Sequence, residues 1–193
     1  MKYLTIILFS IFIASCKQES KENTNTPENL SEIDADKNFT DKNKTTYYFI
    51  RHAEKDRKAE TNDPHLTSIG MDRANQWAKI LADKNIEVVF STSYQRTIET
   101  AKPTADAVNT TIEFYKPSKL YTKEFQRKTA GKTVLVVGHS DTTPLFINKI
   151  LGEDKYKNIS DNENGNLYTV IIHPNGRKES LLENFPLSQK VTD

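Results

Sequence analysis

Two short apolar runs in this chain break off directly into histidines, and they constrain its fold more than any other feature. Tyr47-Tyr48-Phe49-Ile50 leads into Arg51-His52-Ala53-Glu54, and Val134-Leu135-Val136-Val137 leads into Gly138-His139-Ser140. An apolar run of this length suits a strand covered on both faces, as in a parallel sheet. Residues at the C-terminal ends of such strands stand where open α/β sheets place their ligand sites.

The segments between and after these runs read as alternating helices and strands. Leu66 to Ala82 has Ala74, Trp77, Ala78 and Leu81 at helical spacing, with Thr67 as N-cap. Tyr94 to Val108 is a second helix, with Ile98, Ala101, Ala105 and Val108 inward and Ser93 able to cap. Pro103 predicts a kink or a break near Ala101. Ile86 to Phe90 and Thr110 to Phe114 are short strands, whereas Tyr115 to Gly131 shows little pattern beyond a basic, helix-like piece. A helix capped by Thr143, with Pro144 at its first position, closes before Gly152. Leu167 to Ile172 and Lys178 to Leu182 form a hairpin around His173-Pro174-Asn175-Gly176. The alternation predicts an α/β fold: a mixed, mostly parallel central sheet with helices on both faces.

The N-terminal part carries a different signal. Met1-Lys2 precedes an apolar run, Leu4 to Ala14, too short to span a bilayer comfortably and suited to the core of a signal peptide. It ends in Ile13-Ala14-Ser15-Cys16, which holds the one cysteine and so excludes an intrachain disulfide. The sequence resembles a bacterial lipoprotein box. That resemblance implies removal of residues 1–15 and a lipid anchor on Cys16. Lys17-Gln18, with no aspartate after the cysteine, implies the outer membrane of a Gram-negative bacterium. Lys17 to Lys44 is polar and charged and cannot bury enough surface to offset its ordering entropy, so residues 16–44 read as anchor and disordered tether. Residues 45–186 are the expected folded domain and 187–193 a tail.

Charge excludes one class of partner. Of 27 basic residues only Lys2 falls in the leader, so the remainder equals the 26 acidic residues. A near-neutral chain does not bind nucleic acid through bulk charge. Any attraction for anions is local, and the loops Glu54 to Pro64 and Tyr115 to Lys132 together carry nine lysines and arginines.

Arginine beside histidine suits phosphoryl chemistry: a guanidinium holds two phosphate oxygens while a neutral imidazole attacks phosphorus. Arg51-His52-x-Glu54 fits an R-H-x-E signature. Leu66-Thr67-x-x-Gly70-x-x-Arg73-Ala74, then Arg96-Thr97-x-x-Thr100-Ala101, then Gly138-His139-Ser140 follow in order. Together these resemble the histidine phosphatase superfamily (phosphoglycerate mutase-like), in its short branch, over about Thr46 to Phe185. The resemblance implies His52 as nucleophile, Arg51 and Arg96 as phosphate clamps, His139 as a donor to the developing charge, and Glu54 beside the substrate. Arg96, in the first turn of its helix, would share the phosphate with free backbone N–H groups there. Water then hydrolyses the phosphohistidine, so neither metal nor cofactor is implied. The leaving-group acid stays open, with Glu113 ahead of Glu124 and Glu54, and Asp141 read as a turn or cap residue. Members without the usual acid act on good leaving groups such as phosphohistidine.

The implied function is a metal-independent phosphatase of the cell envelope acting on a phosphorylated small molecule or a phosphoprotein. A non-catalytic phosphate-binding or envelope-interaction module on the same fold is the alternative. A phosphoglycerate-type mutase fits less well, because residues 45–186 leave little room for the insertions of a bisphosphate-primed site. His65 and His173 read as loop residues, and Trp77 as core.

Overall fold

The computed structural model describes residues 43–187. The leader, Cys16 and nearly all of the tether lie outside the described residues. The chain runs β1 (Thr45–Arg51), α1 (Ser68–Ile80), β2 (Val88–Ser91), α2 (Gln95–Ala107), β3 (Ile112–Phe114), α3 (Lys123–Thr129), β4 (Thr133–Gly138), α4 (Thr142–Leu151), β5 (Asn166–Ile172) and β6 (Lys178–Asn184). The six strands form one sheet in the order β3-β2-β4-β1-β5-β6. β3, β2, β4 and β1 run parallel, β5 runs antiparallel to β1, and β6 runs antiparallel to β5.

Strand alternation splits the core in two. Tyr47 and Phe49 of β1, Val134 and Val136 of β4 and Val88 and Phe90 of β2 face Phe125 of α3 and Phe146, Ile147 and Ile150 of α4. Ile50, Leu135, Val137 and Val89 face the other way, onto Trp77 and Leu81 at α1 and Ala101 and Ala105 of α2. Both faces are covered, which is why β1 and β4 read as unbroken apolar runs. Each fully buried side chain of this size contributes about 1.5–3 kcal/mol.

Several local expectations were met and others were not. Thr67 caps α1 by accepting from Gly70 N, and Gly152 closes α4 at φ +81°. Asp141, not Thr143, caps α4, its carboxylate accepting from Thr142 N at 2.7 Å. Tyr94, not Ser93, is the N-cap residue of α2, and its own side chain makes no cap hydrogen bond. The helix does not break at Pro103 but continues to Ala107. Thr100, Ala101, Thr104 and Ala105 are buried on either side of the proline, and that packing offsets the one hydrogen bond it removes.

Two glycines place the strand ends. A Cβ on Gly70 would stand 2.3 Å from Glu54 O, so only glycine lets α1 begin against the chain leaving β1. A Cβ on Gly138 would stand 2.6 Å from the Thr143 hydroxyl, so the exit of β4 needs glycine for the same reason.

Candidate active site

β1 and β4 are neighbours in register, with Arg51 opposite Gly138, so the residues after each strand emerge side by side. His52 N donates to Gly138 O at 2.9 Å. The rings of His52 and His139 stand 5.7 Å apart, and Arg96 reaches them from the first turn of α2. Arg51, His52, Arg96 and His139 line one open cleft of about 440 Å³, together with Lys55, Tyr94 and Asp161. A larger groove, between α1 and α2, is lined by residues such as Asp72, Gln76 and Asp106 and brings no histidine or arginine together.

His52 is only 4% exposed, and its Nδ1 lies 2.8 Å from Ala53 O. A carbonyl only accepts, so Nδ1 carries the proton and Nε2 keeps its lone pair. Burial pushes the imidazole pKa down to about 3; the hydrogen bond to Ala53 O opposes this, and the Arg51 and Arg96 cations add to it. The ring is therefore neutral throughout the physiological range, and burial outweighs the flanking cations as the cause. Ala53 N donates to the Thr100 hydroxyl at 2.9 Å, and that hydroxyl donates to Arg96 O at 2.6 Å. This relay ties the nucleophile's loop to the first turn of α2.

His139 is also held neutral, its pKa pushed down to about 4 by burial and then by Arg96. The Thr97 hydroxyl has one proton and donates it to a carbonyl, Tyr94 O at 2.8 Å or Thr92 O at 3.1 Å. The Thr92 hydroxyl, 2.8 Å from Thr97 Oγ1, then donates to Thr97. Thr92 Oγ1 is left to accept from His139 Nε2 at 3.0 Å, which puts the His139 proton on Nε2.

The two arginines are held differently. Arg51 is 2% exposed; its Nη1 donates to Ser160 O at 2.7 Å and its Nη2 to Asp161 Oδ1 at 3.0 Å. Arg96 lies 4.3 Å over the Tyr94 ring, and its Nη1 is 3.5 Å from Asp63 Oδ1. The Nε atoms of both arginines are buried with no hydrogen-bond partner among the described residues. The first N–H of α2 is not free for phosphate, because Gln95 N donates to Asp63 Oδ1 at 2.8 Å. That corrects the expectation of an open helix start beside Arg96.

Two other expectations need correction. Glu113 does not line the cleft: it sits on β3, at the sheet edge, where its carboxylate pairs with Lys128 of α3. Glu54 lies next to the cleft, but Arg73 Nε donates to both its oxygens at 2.7 and 2.9 Å, so its charge is already used in a structural pair. Glu124 lies in the first turn of α3 and does not line the cleft either. Of the nine basic loop residues, Lys55 and Arg57 reach the cleft or the space of about 230 Å³ adjoining it. Tyr115 to Lys132 instead carries α3 between irregular stretches and contributes Pro117 to the lining.

The sequence reading missed Asp161. Its carboxylate bridges Arg51 and Arg57, with Oδ2 3.1 Å from Arg57 Nη1. The two arginines hold its pKa below the usual carboxylate range. No sequence signal marks it, since Asp161-Asn162-Glu163-Asn164-Gly165 reads as an ordinary turn. Asn164, from the same segment, donates to His52 O at 2.9 Å.

Residues 47–116 match the family model of the histidine phosphatase superfamily (branch 1). Among curated proteins, none matches the chain by sequence. The fold is similar to that of the protein histidine phosphatase SixA in complex with tungstate: TM-score 0.58, 16% identity, 72% of this chain and 96% of that one. It is also similar to a phosphohistidine phosphatase SixA from Agrobacterium tumefaciens, described as putative, at TM-score 0.55 and 20% identity over 73% and 97% of the two chains. A mycobacterial glucosyl-3-phosphoglycerate phosphatase aligns at TM-score 0.56 and 10% identity, over 75% of this chain and all of the other. At such identities the likeness is one of fold.

Proposed function

We propose that this chain, whose residues 47–116 match the family model of the histidine phosphatase superfamily (branch 1), is a phosphatase working through a phosphohistidine on His52. The observation that carries the reading is the tautomer of His52: Nδ1–H is spent on Ala53 O, and Nε2 keeps a lone pair in a cleft lined by Arg51, Arg96 and His139. In the first half-reaction Nε2 attacks phosphorus and the leaving group departs in line. Arg51 and Arg96 hold equatorial oxygens, and the Nε2–H of His139 turns from Thr92 to the charge growing on the phosphoryl group. Water then attacks phosphorus, the N–P bond breaks, and phosphate leaves. The substrate is a phosphomonoester or a phosphohistidine, on a small molecule or a protein. A phosphohistidine fits a site without a carboxylic acid, because its imidazole leaves readily.

Phosphate release from an activated aryl phosphate by residues 17–193, beside His52→Ala, tests this reading. We expect wild-type release without added metal and a loss of at least about 1,000-fold in the variant. Equal release from both proteins would sink it.

We further propose that the enzyme is lipid-anchored through Cys16 in the cell envelope, of a Gram-negative outer membrane. The apolar run ending at Ile13-Ala14-Ser15-Cys16 supports this. Metabolic labelling with a tagged fatty acid should mark the full chain and not Cys16→Ser; labelling of both would refute it.

A further inference from the structure

The cleft has a nucleophile and clamps, but every carboxylate near it is committed elsewhere. Glu54 is forked by Arg73, Asp161 by Arg51 and Arg57, and Asp63 faces Arg96. Asp141 holds the start of α4. An alkyl phosphate cannot release its alkoxide at neutral pH without a proton.

Lys55 is the exception among the charged residues of the cleft. It lines both the main cleft, with His52 and His139, and the adjoining space, with Arg51 and Arg57. Its ammonium forms no ion pair with any described residue. The backbone at Lys55 is fixed by a bridge to Leu66, so the side chain starts from a defined place beside the nucleophile.

We propose that Lys55 is the catalytic acid of this site, protonating the oxygen of an alkoxide-type leaving group. This makes phosphomonoesters of ordinary alcohols the substrate class, and it rests on the phosphohistidine reading above.

The step balances. His52 Nε2 forms the N–P bond, the P–O bond breaks with its electron pair on oxygen, and one ammonium proton moves from Lys55 Nζ to that oxygen. Lys55 is then a neutral amine. In the second half-reaction it takes a proton from the attacking water, the N–P bond breaks, and phosphate and the starting ammonium are restored.

The surroundings suit a lysine that gives up a proton. Burial lowers its pKa, and Arg96 and Arg57 lower it further, with a smaller effect from Arg51. Asp161 is the acidic group that opposes them. His52 and His139 are neutral, and neither Asp141 nor Tyr94 forms an ion pair with the ammonium.

The test compares leaving groups. Wild type, Lys55→Met, His52→Ala and the exposed-loop control Lys58→Met are assayed on a dinitrophenyl phosphate and on a simple alkyl phosphate. We expect Lys55→Met to lose about 100-fold or more in kcat/KM on the alkyl ester and under about fivefold on the activated ester, as loss of a general acid requires. The alkaline limb of the alkyl-ester pH profile should disappear with it, while Lys58→Met matches wild type. Protection of Lys55→Met by inorganic phosphate against heat shows that it is folded and binds.

An equal loss on both esters, or no turnover of the alkyl ester by wild type, would overturn the acid assignment while His52→Ala stays inactive. Full activity in His52→Ala would overturn the phosphohistidine reading, and the assignment of Lys55 with it.

Discussion

Asp161 Oδ1 lies 3.0 Å from Arg51 Nη2, which joins a carboxylate on the α4–β5 segment to the guanidinium at the end of β1. The two are unlike in setting: the Arg51 side chain is 2% exposed and that of Asp161 66%. The same carboxylate reaches Arg57, so one exposed turn joins the clamp to the loop that carries Lys55.

Asp161→Asn should therefore act on catalysis more than on stability. Arg51 keeps its bond to Ser160 O but loses the charge that sets its plane. We expect kcat to fall about tenfold, because a clamp that wavers loses orientation. KM should change less, and Asp161→Glu should recover part of the loss. Steady-state kinetics on an activated aryl phosphate decide it; an unchanged kcat would show that Ser160 O alone holds Arg51.

Glu54 and Arg73 should behave in the opposite way. Arg73 also donates from Nη1 to Phe185 O at 3.2 Å, so it joins the start of the active-site loop to the end of the domain. Glu54→Gln and Arg73→Met should each cost about 2 kcal/mol, the worth of hydrogen bonds to charged groups with little solvent access. The double variant should cost less than the sum. KM should stay within about twofold of wild type in Glu54→Gln, since that carboxylate serves the fold. Urea denaturation with parallel kinetics checks both statements, and a large rise in KM would return Glu54 to the substrate.

The neutral His52 predicts a pH dependence of stability. Its folded pKa, about 3, lies below the value of the unfolded chain, near 6.5. As pH falls, the unfolded chain takes the proton first. Stability is therefore intact above about pH 6.5 and declines down to about pH 3, where the folded protein is protonated as well. One pH unit below 6.5 this costs about 1 kcal/mol. His52→Gln lacks the effect, so its melting temperature should fall less between pH 7 and pH 5.5. Parallel falls would mean that His52 is not buried as a neutral ring.

Much of the site was legible because its residues are tied to strand ends by short spacing. Arg51-His52 and Gly138-His139 follow apolar runs with no residue to spare, so a buried strand on each side places them. Arg96 follows β2 within a turn of helix start, and parallel pairing of β2 with β4 brings it to the same edge. Of the kink or break that Pro103 suggested near Ala101, the break did not form, because local propensity was overruled by the packing of its neighbours on the sheet. Glu113 stands away from the cleft because β3 is an edge strand, where Lys128 of α3 pairs with it.

By itself the sequence determined the α/β order of elements, the covered sheet and the ends at which chemistry gathers. These follow from hydrophobic period and from turn chemistry, which act over a few residues. Only the tertiary structure decided which charges are free. It spent Glu54 on Arg73, Asp63 on Arg96 and Asp161 on two arginines, and it left Lys55 without an ion pair in the cleft. Arg51 and Asp161 are 110 positions apart in the chain. Charge pairing depends on distance in space, and no spacing rule along a chain conveys that.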